Sequence, residues 1–369
     1  MNSSPDVLVI GGGIIGLTSA YQLAQAGRSV LVLDRQAPGM EASWAGAGII
    51  PPGDPVRART PIDRLRANSV SRFPQFSAEL RERTGIDNGF LLCGGIEFLA
   101  VTDADVLSLW ESEGIRFSSQ FPSPLVGEGL GVRGLSRYHL PDCGQVRNPW
   151  HMRALIAACQ QVGVRFEIGA DAIGWDHGNL RLADGTTRAA GAYLIAAGAW
   201  AERLLSPLGC TPGIHPIRGQ IVLYRCSQSL FTQVLMCGKR YLVPRTDGRV
   251  LVGSTEEPEA GFVKANTPSG IAELRAFACD LVPGLADAEV EKCWAGLRPG
   301  SPDGMPYIGL VPGTVNVFAA VGHSRAGVQL SLGTATMIAD MIAGRQPADR
   351  DAFRLDRTPE LAAKTAFRS

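Results

Sequence analysis

The sequence predicts a two-lobed α/β (α+β) protein whose main unit is a Rossmann-like nucleotide-binding domain shared among distant parts of the chain. Three observations carry this. A glycine-rich turn separates a strand from a helix at the N-terminus. A second strand running into small residues follows at "AYLIAAGAWAERLL", Ala192 to Leu205. A third, "VNVFAAVGHSRAGVQLSLGTATMIADMIAG", closes the chain. The stretches between them read mostly as strands, so they must build a second lobe. With 369 residues, 45% of them apolar, two cores are affordable.

The first element is Val7 to Ile10, an apolar run ending in Gly11-Gly12-Gly13-Ile14-Ile15-Gly16. Helical spacing runs from Ile14 to Ala26. Gly27 stops it, and "SVLVLD", Ser29 to Asp34, is a second strand. G-x-G-x-x-G in this strand–turn–helix context is a dinucleotide fingerprint. Gly11 permits the tight turn, Gly13 lets backbone approach a pyrophosphate, and Gly16 lets helix and strand pack closely. The unpaired N–H groups of the helix start, at Ile14 and Ile15, face the phosphates. Asp34, 18 residues after Gly16, is placed to accept from an adenosine ribose. Its charge disfavours a ribose phosphate, although Arg35 keeps NADP open.

The fingerprint serves FAD and NAD alike. "EASWAGAGII", Glu41 to Ile50, tilts the choice to FAD. It is a second small-residue run, in which Ala42, Ser43, Ala47, Gly48 and Ile49 can line a long pyrophosphate and ribityl chain.

Farther on, Thr60 to Arg83 reads as one amphipathic helix, Leu92 to Val101 as a strand, and Asp103 to Ser112 as a helix. Ser118 to Gly134 is rich in Pro, Gly and Ser and reads as a loop or insertion. "RNPWHMRALIAACQQVG" is a helix with Asn148 at the N-cap, Pro149 at its first position and Gly163 past its end. A strand, turn and strand follow, with Asp184-Gly185 as the hairpin signal. "HPIRGQIVLY", "RYLVPRTDGRVLVGST" and "VEKCWAGLRPG" show strand alternation, with a helix starting at Thr267-Pro268. Arg298, in "GLRPGSPDGMPYIG", sits among glycines and prolines that suggest tight, irregular backbone. Asp303 is the one opposite charge close to it in sequence.

Composition excludes several classes. Lys plus Arg and Asp plus Glu are 35 each, so nothing favours nucleic acid. The eight cysteines form no C-x-x-C pair and no cluster with histidine, so no metal site is expected. The start "MNSSPDVLVIGGG" reads as a strand, not a leader. No apolar run is long enough to span a membrane, and the expectation is a cytoplasmic protein.

Four segments together resemble the D-amino-acid oxidase superfamily of FAD enzymes, most nearly its glycine oxidase branch of thiamine biosynthesis. They are "VIGGGIIG", "EASWAGAGII", "YLVPRTDGRVLVGST" and "GLRPGSPDGMPYIG" with the following "FAAVGHSRAGVQLSLGTATMIADMI". The resemblance spans nearly the whole chain. It implies an FAD domain (1–80, 146–215 and 299–369) adjoining an antiparallel-sheet substrate domain (81–145 and 216–298). Non-covalent FAD is expected, since "GLRPGSPDGMPY" offers no cysteine.

The resemblance also implies roles. Arg298 grips a substrate carboxylate, Tyr241 hydrogen-bonds the same group, and Arg325 lies beside the flavin ring. The backbone of His323, Ser324, Arg325, Ala326, Gly327, Val328 and Gln329 faces the pyrimidine end of the ring. Ala172 and Gly198 complete the cofactor set. The substrate is glycine, sarcosine or a small D-amino acid. Its α-hydrogen passes as hydride to the flavin, water hydrolyses the imine, and dioxygen is reduced to hydrogen peroxide. No side-chain base stands out. Lys239 and Arg240 precede Tyr241 where histidine and a small residue are expected of relatives. Glu256 stands where an apolar residue is expected, either favouring a cationic amine or lying at the rim. A homo-oligomer is kept as an expectation. The alternatives are a dehydrogenase with another electron acceptor, a hydroxyacid oxidoreductase, a catalytically silent FAD-binding protein, and an NAD module. The last is disfavoured by the extra flavin-like segments.

Overall fold

The computed structural model describes residues 4–120, 134–360 and 367. One unit is built on a six-stranded sheet in the order 307–310, 317–321, 192–195, 7–10, 30–34 and 165–168. Every pairing is parallel except that of 307–310 with 317–321. The glycine-rich N-terminal strand thus lies at the centre, beside the strand of the second small-residue turn. Parallel strands are covered on both faces, and the alternation shows it. Val7 and Val9 pack under the helices Ile14–Gln25, Asn148–Gln161 and Gly327–Ile342, while Leu8 and Ile10 pack against Leu180, Leu182 and Leu204 on the other side.

The second unit is a seven-stranded sheet ordered 289–300, 215–225, 249–253, 240–244, 234–237, 95–100 and 135–140. It is antiparallel except where 234–237 runs parallel to 95–100. One face carries Val222, Tyr224, Leu242 and Val252 against the helix Pro268–Leu281. Thr267 caps that helix, its Oγ1 accepting from the Gly270 amide at 3.2 Å. The opposite face, with Ile221, Met236 and Val243, meets the helix Ala104–Ser112 through Trp110.

Several local expectations are corrected. Thr60 to Arg83 is two helices, Pro61–Val70 and Phe73–Thr84, because Pro74 cannot donate to the preceding turn. The strand placed at Leu92 to Val101 is divided into Leu91–Leu92 and Gly95–Ala100, with Gly94 at φ +75° between them. The segment after Gly163 holds four short strands rather than two, and a first turn at His177-Gly178 precedes the Asp184-Gly185 turn. Arg298 does not sit in irregular backbone. It lies inside the long strand Glu289–Gly300, opposite Ile217. Most of the Pro/Gly-rich stretch 118–134 lies outside the described residues. Among the described residues no helix is long and apolar enough to cross a membrane.

Candidate active site

A cavity of about 620 Å³ runs between the two sheets. That is the scale of a site for a cofactor or drug-sized ligand. One end is built on the glycine turn. Gly11 has φ +108°, and a Cβ there would lie 2.4 Å from the Ala196 carbonyl. A Cβ on Gly16 would meet the Gly11 carbonyl at 2.0 Å, so Gly16 is a packing position and does not line the cavity. Gly13, Ile14 and Ile15 do line it. Ser43 reaches the helix start, its Oγ accepting from the Ile14 amide at 2.8 Å, so the Ile14 N–H is already paired and is not free for a phosphate as the sequence suggested. Asp34 accepts from the amides of Gly12 at 2.8 Å and Gln36 at 3.0 Å, so its carboxylate is fixed at the cavity wall. Burial pushes its carboxyl above the usual range, although those amides pull the other way. Arg35 is paired with Glu41 and stacks 3.8 Å over the Trp200 ring, which lines the same end beside Ala172 and Gly198.

The middle of the cavity is the small-residue run. Ala42, Ser43, Ala47, Gly48 and Ile49 all line it. The run lies against the Arg298 strand, where a Cβ on Gly296 would be 2.6 Å from the Ala45 Cβ. Arg245 secures the run from behind, donating to the Ala47 carbonyl at 2.8 Å and the Gln145 side chain at 2.7 Å. Burial lowers its pKa to about 10.

Asn148 is corrected here. The helix begins at Asn148 itself, Arg147 is the N-cap and Pro149 is second. The Asn148 side chain turns to the cavity and donates to the Ser43 carbonyl at 2.8 Å. Its Oδ1, like Gln329 Oε1, is a buried acceptor with no partner among the described residues. Both line the cavity. The hydroxyls and ring N–H of FAD are donors of the kind these oxygens lack, and the helix start beside Gly13 and Ile15, with its dipole and the Ser43 hydroxyl, suits a pyrophosphate. The residues present therefore fit FAD.

The far end carries Arg298, Tyr241, Ser254 and Arg325. Two glycines on neighbouring strands make room for them. A Cβ on Gly219 would fall 2.2 Å from Arg298 Nη2, and one on Gly253 would fall 2.6 Å from the Tyr241 ring. Arg298 donates to the Thr255 carbonyl at 3.1 Å and to Ser254 Oγ. Burial draws its pKa down, partly opposed by Tyr241 and Glu256. Five arginines line the cavity: Arg35, Arg203, Arg240, Arg298 and Arg325. Four have carboxylate partners, Glu41, Asp171, Glu273 and Glu256. Arg298 alone has none among the described residues. Asp303, its neighbour in sequence, is taken by Arg357.

His323, Ser324, Gly327, Val328 and Gln329 line the cavity beside Arg325, whereas Ala326 is buried behind them. His323 is also buried, 3.0 Å from Thr334 Oγ1, and burial pushes its pKa down to about 3. It stays neutral, which fits a structural imidazole better than an acid. Sequence reading missed Asn148, Trp200 and Ser254 as cavity residues, and Arg245 as the support behind the wall. A glycine inside a strand does mark close approach, so Gly219 and Gly253 were the available signal for the polar groups above them.

The profile of the FAD dependent oxidoreductase (DAO) family matches residues 6–341. A glycine oxidase of Pseudomonas aeruginosa is 36% identical over 93% of this chain and 96% of its own length. A bifunctional ThiO/ThiG protein of Synechocystis is 35% identical, and this chain covers 52% of it. The crystal structure of glycine oxidase from Geobacillus kaustophilus superposes with a TM-score of 0.89 at 30% identity, covering 96% of this chain and 99% of that one.

Proposed function

The chain belongs to the FAD dependent oxidoreductase family and is an FAD-dependent amino-acid oxidase, and from that premise we propose that its substrate is glycine or a related small amine. The products are the imine, then the 2-oxo acid, with dioxygen reduced to hydrogen peroxide. The observation that carries the substrate reading is Arg298, the one cavity arginine without a carboxylate partner among the described residues. A half-buried guanidinium held by two neutral acceptors presents a planar fork to an incoming carboxylate. Tyr241 borders the same space, and its hydroxyl supplies a further donor.

FAD, when bound, supplies the two-electron acceptor for oxidation of the Cα–N bond. The residues of this chain bind and orient. The first turn of Ile14–Gln25 and Ser43 serve the pyrophosphate, Asp34 the ribose, and Asn148 and Gln329 donors along the cavity. Among the described residues, we assign those of 1–80, 146–215 and 299–369 to the cofactor domain and those of 81–145 and 216–298 to the substrate domain. The strand bearing Arg298 joins the two. Orientation over the acceptor does most of the work, because neutral His323 is committed to Thr334. The relation to the glycine oxidases and to the ThiO/ThiG protein supports a product used in thiazole formation for thiamine.

The test is the visible spectrum of the purified protein under nitrogen. Glycine should bleach the flavin band and air should restore it. A flavin band indifferent to glycine, sarcosine and D-alanine would remove the substrate assignment.

A further inference from the structure

Four consecutive residues, Ser254 to Glu257, hold arginines. Ser254 and Thr255 hold Arg298, Glu256 holds Arg325, and Glu257 holds Arg218. Glu256 stands out because it is shared. Its Oε1 accepts from Lys239 Nζ at 2.7 Å, and its Oε2 lies 3.4 Å from Arg325 Nη1. Arg325 also donates to the Lys239 carbonyl. Lys239 and Glu256 themselves lie outside the cavity lining, whereas Arg325 lies in it.

Glu256 directly follows the Thr255 carbonyl to which Arg298 is bonded. It is close enough for each of the two charges to act on the other. A carboxylate next to a half-buried guanidinium pairs with it unless other cations hold it away. Lys239, on the turn between the strands Val234–Cys237 and Arg240–Pro244, and Arg325 are those cations.

We propose that Lys239 and Glu256 form a charge lock that keeps Arg298 open for the substrate carboxylate. The lysine draws Glu256 onto Arg325, and without it Glu256 turns to Arg298 and competes with the substrate. Both are positioning residues that set carboxylate affinity without touching substrate. The lock deepens the carboxylate-grip reading of Arg298 and rests on it. It also decides between the two roles open to Glu256 from sequence: the carboxylate is spent on Lys239 and Arg325, and does not attract an amine.

The test uses the FAD-loaded protein and acetate, a carboxylate with no amine to oxidise, followed by perturbation of the flavin visible band. Lys239→Met should weaken acetate binding at least about tenfold, the scale of one partly screened charge contact. Lys239→Met with Glu256→Gln should bring it back to within about threefold of the parent, because an amide cannot compete as a charge. A purely structural loss at Lys239 would not be rescued by the second change. Lys239→Met binding acetate like the parent, or a double variant as weak as the single one, overturns the lock. Arg298→Met separates the two readings. If it leaves acetate binding intact, the grip itself is wrong; if it abolishes binding while Lys239→Met is silent, only the lock is wrong.

Discussion

Replacing Arg298 by Met tests the site where the structure is most specific. Met keeps an unbranched chain in the slot above Gly219 and removes the guanidinium. Two hydrogen bonds to the protein go with it, those to Ser254 Oγ and the Thr255 carbonyl. Ser254 lines the cavity, so water can replace the donor there and the fold should survive. The substrate carboxylate fares worse. It would be desolvated beside Arg325, whose charge is already shared with Glu256. Removing one partner of a buried charge pair costs roughly 3–5 kcal/mol, or about two to three and a half decades in affinity. The expected result is a KM for glycine raised at least about 10²-fold. Arg298→Lys should fall between, since an ammonium cannot fork onto a carboxylate while serving Ser254 and Thr255. The assay is initial rate against glycine concentration, with flavin content and Tm as controls. A KM within about threefold of the parent in a protein with full flavin would refute the grip, because no loss on the scale of a buried pair could hide in it.

Three further outcomes follow from the same geometry. Gly219→Ala places a Cβ 2.2 Å from Arg298 Nη2, so it should raise KM while flavin content stays at the parent level; lost flavin with an unchanged KM would contradict the placement of Gly219. Gly11→Ala demands φ +108° and a Cβ 2.4 Å from the Ala196 carbonyl, so the purified protein should carry little or no flavin, read from its absorbance ratio. His151 and His323 are buried, with pKa values lowered by burial from 6.5 to about 4 and about 3. The unfolded chain therefore takes up their protons first. Stability present above pH 6.5 is lost as the pH falls through the window down to these values, by about 1.4 kcal/mol per pH unit for each histidine. Denaturant unfolding from pH 7 to 4.5 should show this slope, and His151→Gln should reduce it by one proton; an unaltered slope would mean that His151 is protonated in the native state.

Much of the cofactor half was legible because it depends on local rules. Gly11 and Gly16 read correctly as turn and packing positions, since each requirement arises within a single strand–turn–helix unit, and Gly13 lines the cavity. The helix start at Thr267-Pro268 was legible for the same reason. Errors arose where the deciding partner is distant in sequence. Asn148 reads as an N-cap from its neighbours, yet its side chain is claimed by the Ser43 carbonyl, 105 residues away. Around Arg298 the strand alternation of "VEKCWAGLRPG" competed with glycines and prolines that suggest irregular backbone, and eleven residues of the distant 215–225 strand, pairing along its own strand, decide for the strand.

By itself the sequence determined the nucleotide unit, the second small-residue run and the presence of a candidate arginine, because residue type and spacing are enough to state those. It could not say which arginine is open. Five guanidinia reach one cavity, and only the folded chain assigns carboxylates to four of them. Ion pairing is decided by distance in space, and the partners Glu41, Asp171, Glu273 and Glu256 come from separate parts of the chain. The tertiary structure alone leaves Arg298 with neutral acceptors, and so leaves its charge for a ligand.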